Sequence, residues 1–520
     1  MRITLSRRTF LLGLSGTAAL ALNPQLTSAN GFQIYSATEP RPPKRSQKHY
    51  FAFDTGIYAA NKMQNMRLKM GEVKKDQRNP LFIDGINEDP PKRWEPRIDN
   101  GYPNVILDDK GIYHCYYTLF AVDPSVTNTP RAQRANQPYA ASRDRQVGLA
   151  YARSTDGIHW EKPELGIVEF EGSKANNLLM RDVAGTGVLF EPNDPDPNKR
   201  FKLITRKQKE RKLAVAFSAD GIHFSELIEW KAHSPKIGAD CHNAVFKDSR
   251  TNQYILTTRL WASNFRVLAI SRSDDFINWS PLHEVLRGQG YEEQVYSMPV
   301  FEHHDIYFGF ASIYKQGDNT QMDWDTVNLE LYWSTNLTEW NKAVPDHNIL
   351  IPAGAGRDQY LEGEFDSATL FAAQMTAGDN RLYYTGGKGR HRGWRDTGLG
   401  LAYIDKNRLA GMVARSPQKP MSFATNGLYF HGETLQIWAD VIQDGALHIS
   451  IDGKTGFEAE NCQLEKLPSG AYRVSWKGQP LVQASKNEKR GISLNIVAAN
   501  SIFWGLSGEF EMDESRYWRG

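Results

Sequence analysis

Apolar and polar positions alternate with a period of two along most of the chain, and Gly, Asp, Asn and Pro break the alternation at short intervals. That pattern predicts short antiparallel strands joined by turns, with little helix. The alternation is itself repeated. Four segments share a small apolar strand, a Ser, a polar turn and an aromatic residue six positions after the Ser: Leu149–Trp160, Leu213–Phe224, Leu268–Trp279 and Leu329–Trp340. A fifth, degenerate copy runs from Leu401 to Met412. The leading leucines are 64, 55, 61 and 72 residues apart. β-rich units recurring at about 40–60 residues are the signature of propeller blades, which bury their faces only against one another.

Two further strands precede each copy. Inner-strand candidates are Tyr102–Leu107, Gly185–Phe190, His242–Phe246, Ser297–Phe301 and Asp366–Phe371. Each leads through a turn to a second strand: Tyr113–Phe120, Phe201–Arg206, Tyr254–Arg259, Ile306–Ile313 and Arg381–Gly386. After about residue 413 the repeat stops. Alternating runs separated by Asp-Gly and Lys-Gly turns then predict a β-sandwich. The expected fold is all-β, with a five-bladed β-propeller over 96–413 and a β-sandwich over 414–520. Residues 30–95 form a Pro- and Lys-rich linker and a segment that closes the propeller.

The first 29 residues carry Ser6-Arg7-Arg8-Thr9-Phe10-Leu11-Leu12, a mild apolar stretch to Leu22, and small residues at Thr27-Ser28-Ala29. This is the order of a twin-arginine signal peptide, so export of a folded chain to the periplasm or beyond is expected. No later stretch approaches the ~20 apolar residues of a membrane span. Removing the three leader arginines from the 62 basic residues leaves 59 against 60 acidic ones. That balance argues against a nucleic-acid partner, which needs a basic face. Three widely spaced cysteines, Cys115, Cys241 and Cys462, offer neither a disulfide framework nor zinc spacing.

Polar residues at the start of each inner strand would line one mouth of the axial channel. Carboxylates recur there in four blades: Asp99; Asp240, beside His242 and Asn243; Glu293; and Glu364 with Asp366. They either cap turns in water or converge as the carboxyl set that glycosidic-bond cleavage needs, one acid protonating the leaving oxygen and another attacking or activating water. Arg259 joins the third blade's candidates as a substrate-binding residue. The fifth-blade loop Lys388-Gly389-Arg390-His391-Arg392-Gly393-Trp394-Arg395 is either a solvated hairpin tip or a pocket wall for an anionic group, with Trp394 stacking on a sugar. No metal ligand set is identified and no cofactor is expected, although a structural cation in the axial channel is left open.

Gly148-Leu149-Ala150-Tyr151, Ser154 to Pro163, Glu171 to Asn177, Cys241 to Phe246, and Tyr384 to Gly387 through Arg390-His391 together resemble a bacterial family of exported propeller proteins. These are similar to glycoside hydrolase families 32 and 43, the invertase and arabinanase superfamily. The C-terminal Gly456-Phe457, Asn461-Cys462 and Trp476-Lys477-Gly478 resemble that family's terminal sandwich. The resemblance implies three acids on different blades and a carbohydrate substrate. The invertase signatures Asn-Asp-Pro-Asn-Gly, Arg-Asp-Pro and Glu-Cys are absent, so the roles follow blade position. These are Asp99 as base or nucleophile, Asp240 as pKa modulator and Glu293 as general acid, with Glu364 and Asp366 in reserve. The expected function is an exported glycoside hydrolase acting on a poly- or oligosaccharide, anionic if the basic loop borders the pocket. A glycoside phosphorylase and a non-catalytic carbohydrate-binding propeller are the alternatives.

Overall fold

The structure is a computed structural model that describes residues 49–513, apart from 236–237, 358–359 and 376–378. The leader and the first part of the linker lie outside the described residues. The fold is nearly all β, in antiparallel sheets laid out in chain order, and no sheet among the described residues closes into a barrel.

The first sheet holds Arg97–Leu107, Tyr113–Val122, Gln146–Ser154 and Leu178–Arg181; the second holds Val183–Phe190, Phe201–Lys207, Lys212–Ser218 and Ile228–Glu229. The third runs Ala244–Lys247, Tyr254–Ala262, Phe265–Ser273 and His283–Arg287. The fourth is built on Ile306–Lys315 and Thr326–Ser334, with the broken inner pair Gln294–Ser297 and Val300–His303. The fifth comprises Thr369–Ala372, Arg381–Lys388 and Asp396–Ile404, joined to the fourth by one parallel bridge, Val327 to Thr369. Its outer positions are filled from the N-terminal segment, by Val73–Lys75 and Phe82–Ile83 pairing with Asp396–Ile404. Each sheet packs on the next through its inner strands, and the fifth packs back on Arg97–Leu107 of the first.

The repeated Ser-x-Asp-Gly motif builds a turn. Ser154 Oγ accepts from Gly157 N (2.8 Å) and donates to Asp156 Oδ1, which also accepts from Ile158 N and His159 N (both 2.8 Å). The same bonds recur around Ser218 and Asp220 and around Ser334 and Asn336, and around Ser273 and Asp275 they recur except that to the serine from the fourth residue. Side chains that satisfy turn N–H groups in this way explain why Ser, Asp and Asn recur. The fourth residue of the motif takes a left-handed φ in every copy: Gly157 (74°), Gly221 (77°), Phe276 (66°) and Leu337 (68°). Where it is Gly, a tyrosine from the preceding sheet fills the space and donates to its carbonyl, Tyr383 to Gly157 (2.8 Å) and Tyr116 to Gly221 (2.9 Å). Where it is Phe276 or Leu337, the side chain fills the space itself, in clusters that contain Ile204 and Ile255 respectively.

Two sequence expectations change. The N-terminal segment contributes to two sheets, because His49–Phe51 and Met66–Met70 join the C-terminal one. The C-terminal region is one hydrogen-bonded eight-stranded sheet, and its strand Ala410–Ala414 crosses the expected boundary at 413. Its long strands Leu428–Ile451 and Leu494–Met512 pair along most of their length, with register shifts near Phe430, Trp438 and Val441. Such shifts bend a ladder, and the bent sheet surrounds a core that includes Leu435, Ile437, Trp476 and Phe503. The boundary blurs because Phe51, Phe53 and Leu409 are buried together with Phe308 and Trp333 of the fourth sheet.

Candidate functional site

One cavity of about 500 Å³ opens where the inner strands of the first, third and fourth sheets begin. Its acids are Asp99 and Asp240; its cations are Arg97, Arg145, Arg392 and Arg395; its aromatic walls include Tyr102, Phe120, Tyr139 and Tyr296.

Asp99 is placed by an irregular strand. Asp99 (φ 60°), Gly101 (72°) and Tyr102 (45°) all adopt left-handed conformations, and the pairing of Arg97–Leu107 with Tyr113–Val122 shifts register there. A bulge of this kind re-aims a side chain and is common beside functional sites. The carboxylate lies between two buried guanidinium groups, taking bonds from Arg97 Nε at 3.1 Å and from Arg395 Nη2. Burial alone would raise its pKa, but Arg395 and Arg97 outweigh that and hold it well below the usual carboxylate range. Asp99 is thus a fixed anion.

Asp240 is different. Its side chain is 44% exposed and paired on one oxygen with the buried Arg259. Arg259 in turn lies over the Tyr296 ring, 5.3 Å from its centre. Asp240 is the cavity's accessible carboxyl.

The seam between the first and fifth sheets is tied by Asp84. Its two oxygens accept from Ile98 N (2.5 Å) and Thr397 N (2.6 Å), the residues next to Asp99 and two beyond Arg395. Burial and the nearby Asp396 push its pKa up to about 8, against the pull of those two N–H groups.

Other expected site residues lie elsewhere. Glu293, expected as the general acid, is salt-bridged to Lys315 (2.8 Å) and Lys342 (3.4 Å) and is not among the residues that line the cavity. The inner-strand pairing of the fourth sheet also breaks, between Val295 and Ser297. Asp366 is buried and bonded to Lys75 (2.6 Å) and Tyr384 (2.8 Å), and Glu364 is exposed; neither is among the residues that line the cavity. His242 is buried in the inner layer, 3.1 Å from Asn104 Oδ1, and burial lowers its pKa to about 3. Asn243 bonds Gly185 O, Ala239 O and Thr258, which is a structural role.

The fifth-sheet basic loop divides. His391, Arg392 and Arg395 line the cavity. Lys388 reaches Leu361 O, and Arg390 bonds the carbonyls of Trp324 and Met322. Trp394 is buried, donates to Gln137 O (2.7 Å) and packs edge-on against Tyr139, so it offers no open face to a sugar. The His391 ring packs between Tyr296 and Tyr314. Burial and Arg395 lower its pKa far below the usual histidine value, so it stays neutral in mild acid and the expected strengthening of binding there does not follow.

Sequence reading missed Arg97, Arg145 and Tyr139. Arg97 lies two positions before Asp99 in the same inner strand. Tyr139 and Arg145 sit on the connection between Val122 and Gln146, far longer than the second sheet's equivalent between Lys207 and Lys212. Long insertions between sheet strands were the available signal. Among the described residues, no group of three His, Cys, Asp or Glu is arranged to hold a metal ion.

No family model matches the chain, and no curated protein matches it. Solved structures do align. A glycosyl hydrolase from Bacteroides ovatus shares 13% identity over 66% of this chain and 95% of its own, with a TM-score of 0.42. A β-1,2-mannobiose phosphorylase from Listeria innocua shares 12% over 64% and 97%, at 0.41. An N-acetylgalactosamine deacetylase from F. plautii shares 13% over 70% and 96%, at 0.36.

Proposed function

We propose that the chain is an exported, carbohydrate-active enzyme that cleaves glycosidic bonds in a poly- or oligosaccharide. In this reading the five sheets are propeller blades, the cavity is the axial mouth, and the twin-arginine segment directs export. The observation that carries the reading is the pairing of two unlike carboxylates in one cavity walled by tyrosines. Asp99 is locked as an anion by two guanidinium groups, while Asp240 is accessible. Glycoside cleavage uses such a division, with one carboxyl ionised and one able to give and take a proton. Asp240 therefore takes the acid role first assigned to Glu293, and Tyr139 and Tyr296, whose rings carry Arg97 and Arg259, border the space for a sugar with their edges.

A phosphorylase is the second reading, and the excess of guanidinium groups favours it specifically. Phosphate would replace the water or carboxylate nucleophile, so a single proton-exchanging acid would suffice. The test is release of reducing sugar from a glycan panel, with and without inorganic phosphate, by the wild type and by Asp240→Asn. The proposal expects a loss of about 10²–10⁴ in turnover for Asp240→Asn with sugar binding kept. Turnover that is unchanged by the substitution removes the assignment, and phosphate-dependent turnover selects the second reading. Binding without turnover by the wild type leaves a carbohydrate-binding protein.

A further inference from the structure

The cavity contains a set of hydrogen-bond donors that the fold leaves unused. Arg97 Nη1, Arg145 Nε and Arg395 Nε are buried and have no hydrogen-bond partner among the described residues, and all three residues line this cavity; His391 Nδ1 is also without a hydrogen bond but lies 4.0 Å from Asp325 Oδ1. Thr118 Oγ1, on the same wall, is also unpartnered. Buried polar atoms are paired in the great majority of cases, since an unmet one is costly. Here the unmet atoms are nearly all donors, and they cluster.

Their charge is only partly balanced. Asp99 is shared by Arg97 and Arg395, and Asp240 by Arg259. Arg145 has no carboxylate partner among the described residues: it bonds Tyr139 OH at 3.3 Å and lies over the Phe120 ring. Arg392 projects at the rim, 57% exposed, paired with the buried Asp325 at 3.3 Å and steadied by Tyr314 OH at 3.0 Å, so it shares that carboxylate's charge. Two anchored guanidinium groups facing one space repel each other and become favourable when an anion bridges them.

We infer that this cavity binds an oxyanion through Arg145, Arg392 and the unpartnered donor of Arg97. The oxyanion is the carboxylate of a uronosyl residue in the glycan or a free phosphate, which share this donor chemistry. The inference rests on the carbohydrate reading for the uronate source alone; the oxyanion site itself does not require turnover. His391, Arg395, Asp99, Asp240 and the walls Tyr102, Tyr139 and Tyr296 are the remaining ionisable groups that face the space.

The experiment is calorimetric titration of the full chain with galacturonate, galactose and inorganic phosphate, for the wild type, Arg145→Gln and Asp240→Asn. Galacturonate should bind the wild type at least about tenfold more tightly than galactose, as one charge-assisted bond implies. Arg145→Gln should remove that preference and leave galactose unchanged. Phosphate as the source is shown by phosphate binding that exceeds galacturonate binding, strengthens as phosphate gains its second charge, and is weakened by Arg145→Gln. Should Arg145→Gln fail to fold, competition between galacturonate and phosphate on the wild type decides the matter, because one site predicts mutual exclusion. Equal affinity for galactose and galacturonate with no phosphate binding overturns the inference, as does an Arg145→Gln variant that keeps the full preference. Oxyanion binding without cleavage of any glycan would instead remove the glycosidase reading and leave this site standing.

Discussion

Replacing Asp99 by Asn tests whether the cavity is organised around a fixed internal anion. The amide keeps the shape of the carboxylate and removes its charge. The side chains of Arg97 and Arg395 are 3% and 1% exposed, and both bond the same Asp99 oxygen. Breaking a buried ion pair from one side costs about 3–5 kcal/mol, because a desolvated charge is left behind. The Asp99 side chain is itself 25% exposed, and screening places the expected loss near ~3 kcal/mol. With an unfolding entropy of about 2 cal/mol/K per residue, a unit of this size would lose only a few degrees in Tm. Scanning calorimetry of the wild type and Asp99→Asn in low salt measures it. The variant should regain part of its loss when galacturonate or phosphate is added, since an external anion then replaces the missing one. The wild-type contribution also has a defined pH window. The folded pKa of Asp99 is depressed, so its stabilisation is present above about pH 4 and is lost as pH falls through the folded value. A variant as stable as the wild type, or a loss that no oxyanion reduces, would refute the argument.

Three further outcomes are expected. Gly221→Ala should destabilise by about 1–3 kcal/mol in chemical denaturation, because φ is 77° and the new Cβ would collide with Tyr116 Oη, whereas Gly172→Ala meets nothing within 4 Å and should cost about 1 kcal/mol; equal costs would dismiss the tyrosine's part in the turn. Asp84, with a pKa raised to about 8, contributes stability that is present below about pH 4 and is lost as pH rises towards 8, so the wild type should lose up to about 1.4 kcal/mol per pH unit in that window relative to Asp84→Asn; parallel pH profiles of the denaturation midpoint would show that Asp84 is already ionised. Lysine at both Arg7 and Arg8 should hold the precursor in the cytoplasm, as fractionation would show, and normal export of that variant would exclude the twin-arginine route.

Much of the architecture was legible because strand alternation and turn chemistry are local. The Ser-x-Asp-Gly copies marked the outer turns, and the inner strands were located within a few residues, as with Val183–Phe190 against the expected Gly185–Phe190. The C-terminal sheet was less legible. Its strands alternate as sandwich strands do, and nothing local shows that His49–Phe51 and Met66–Met70, distant in sequence, belong to it. The site was half legible. Asp99 and Asp240 stand at the expected inner-strand starts, and His391, Arg392 and Arg395 reach the cavity from the expected loop. Glu293 differs because Lys315 and Lys342 hold its carboxylate, and nothing local in the sequence shows those two partners. Trp394 and Arg390 differ because backbone carbonyls of neighbouring segments, Gln137 O and Trp324 O, take up their donors, and those segments are distant in sequence. Arg97 and Arg145 lay outside the repeat, where blade-by-blade comparison has nothing to compare.

The most direct measurement is a crystal structure of the full chain with galacturonate bound to the Asp240→Asn variant. The account predicts the sugar in the cavity between Tyr139 and Tyr296, its carboxylate within hydrogen-bond distance of Arg145 and Arg97 and a glycosidic oxygen position facing residue 240. A sugar bound elsewhere on the molecule, or one seated with its carboxylate in solvent and Arg145 untouched, would contradict it.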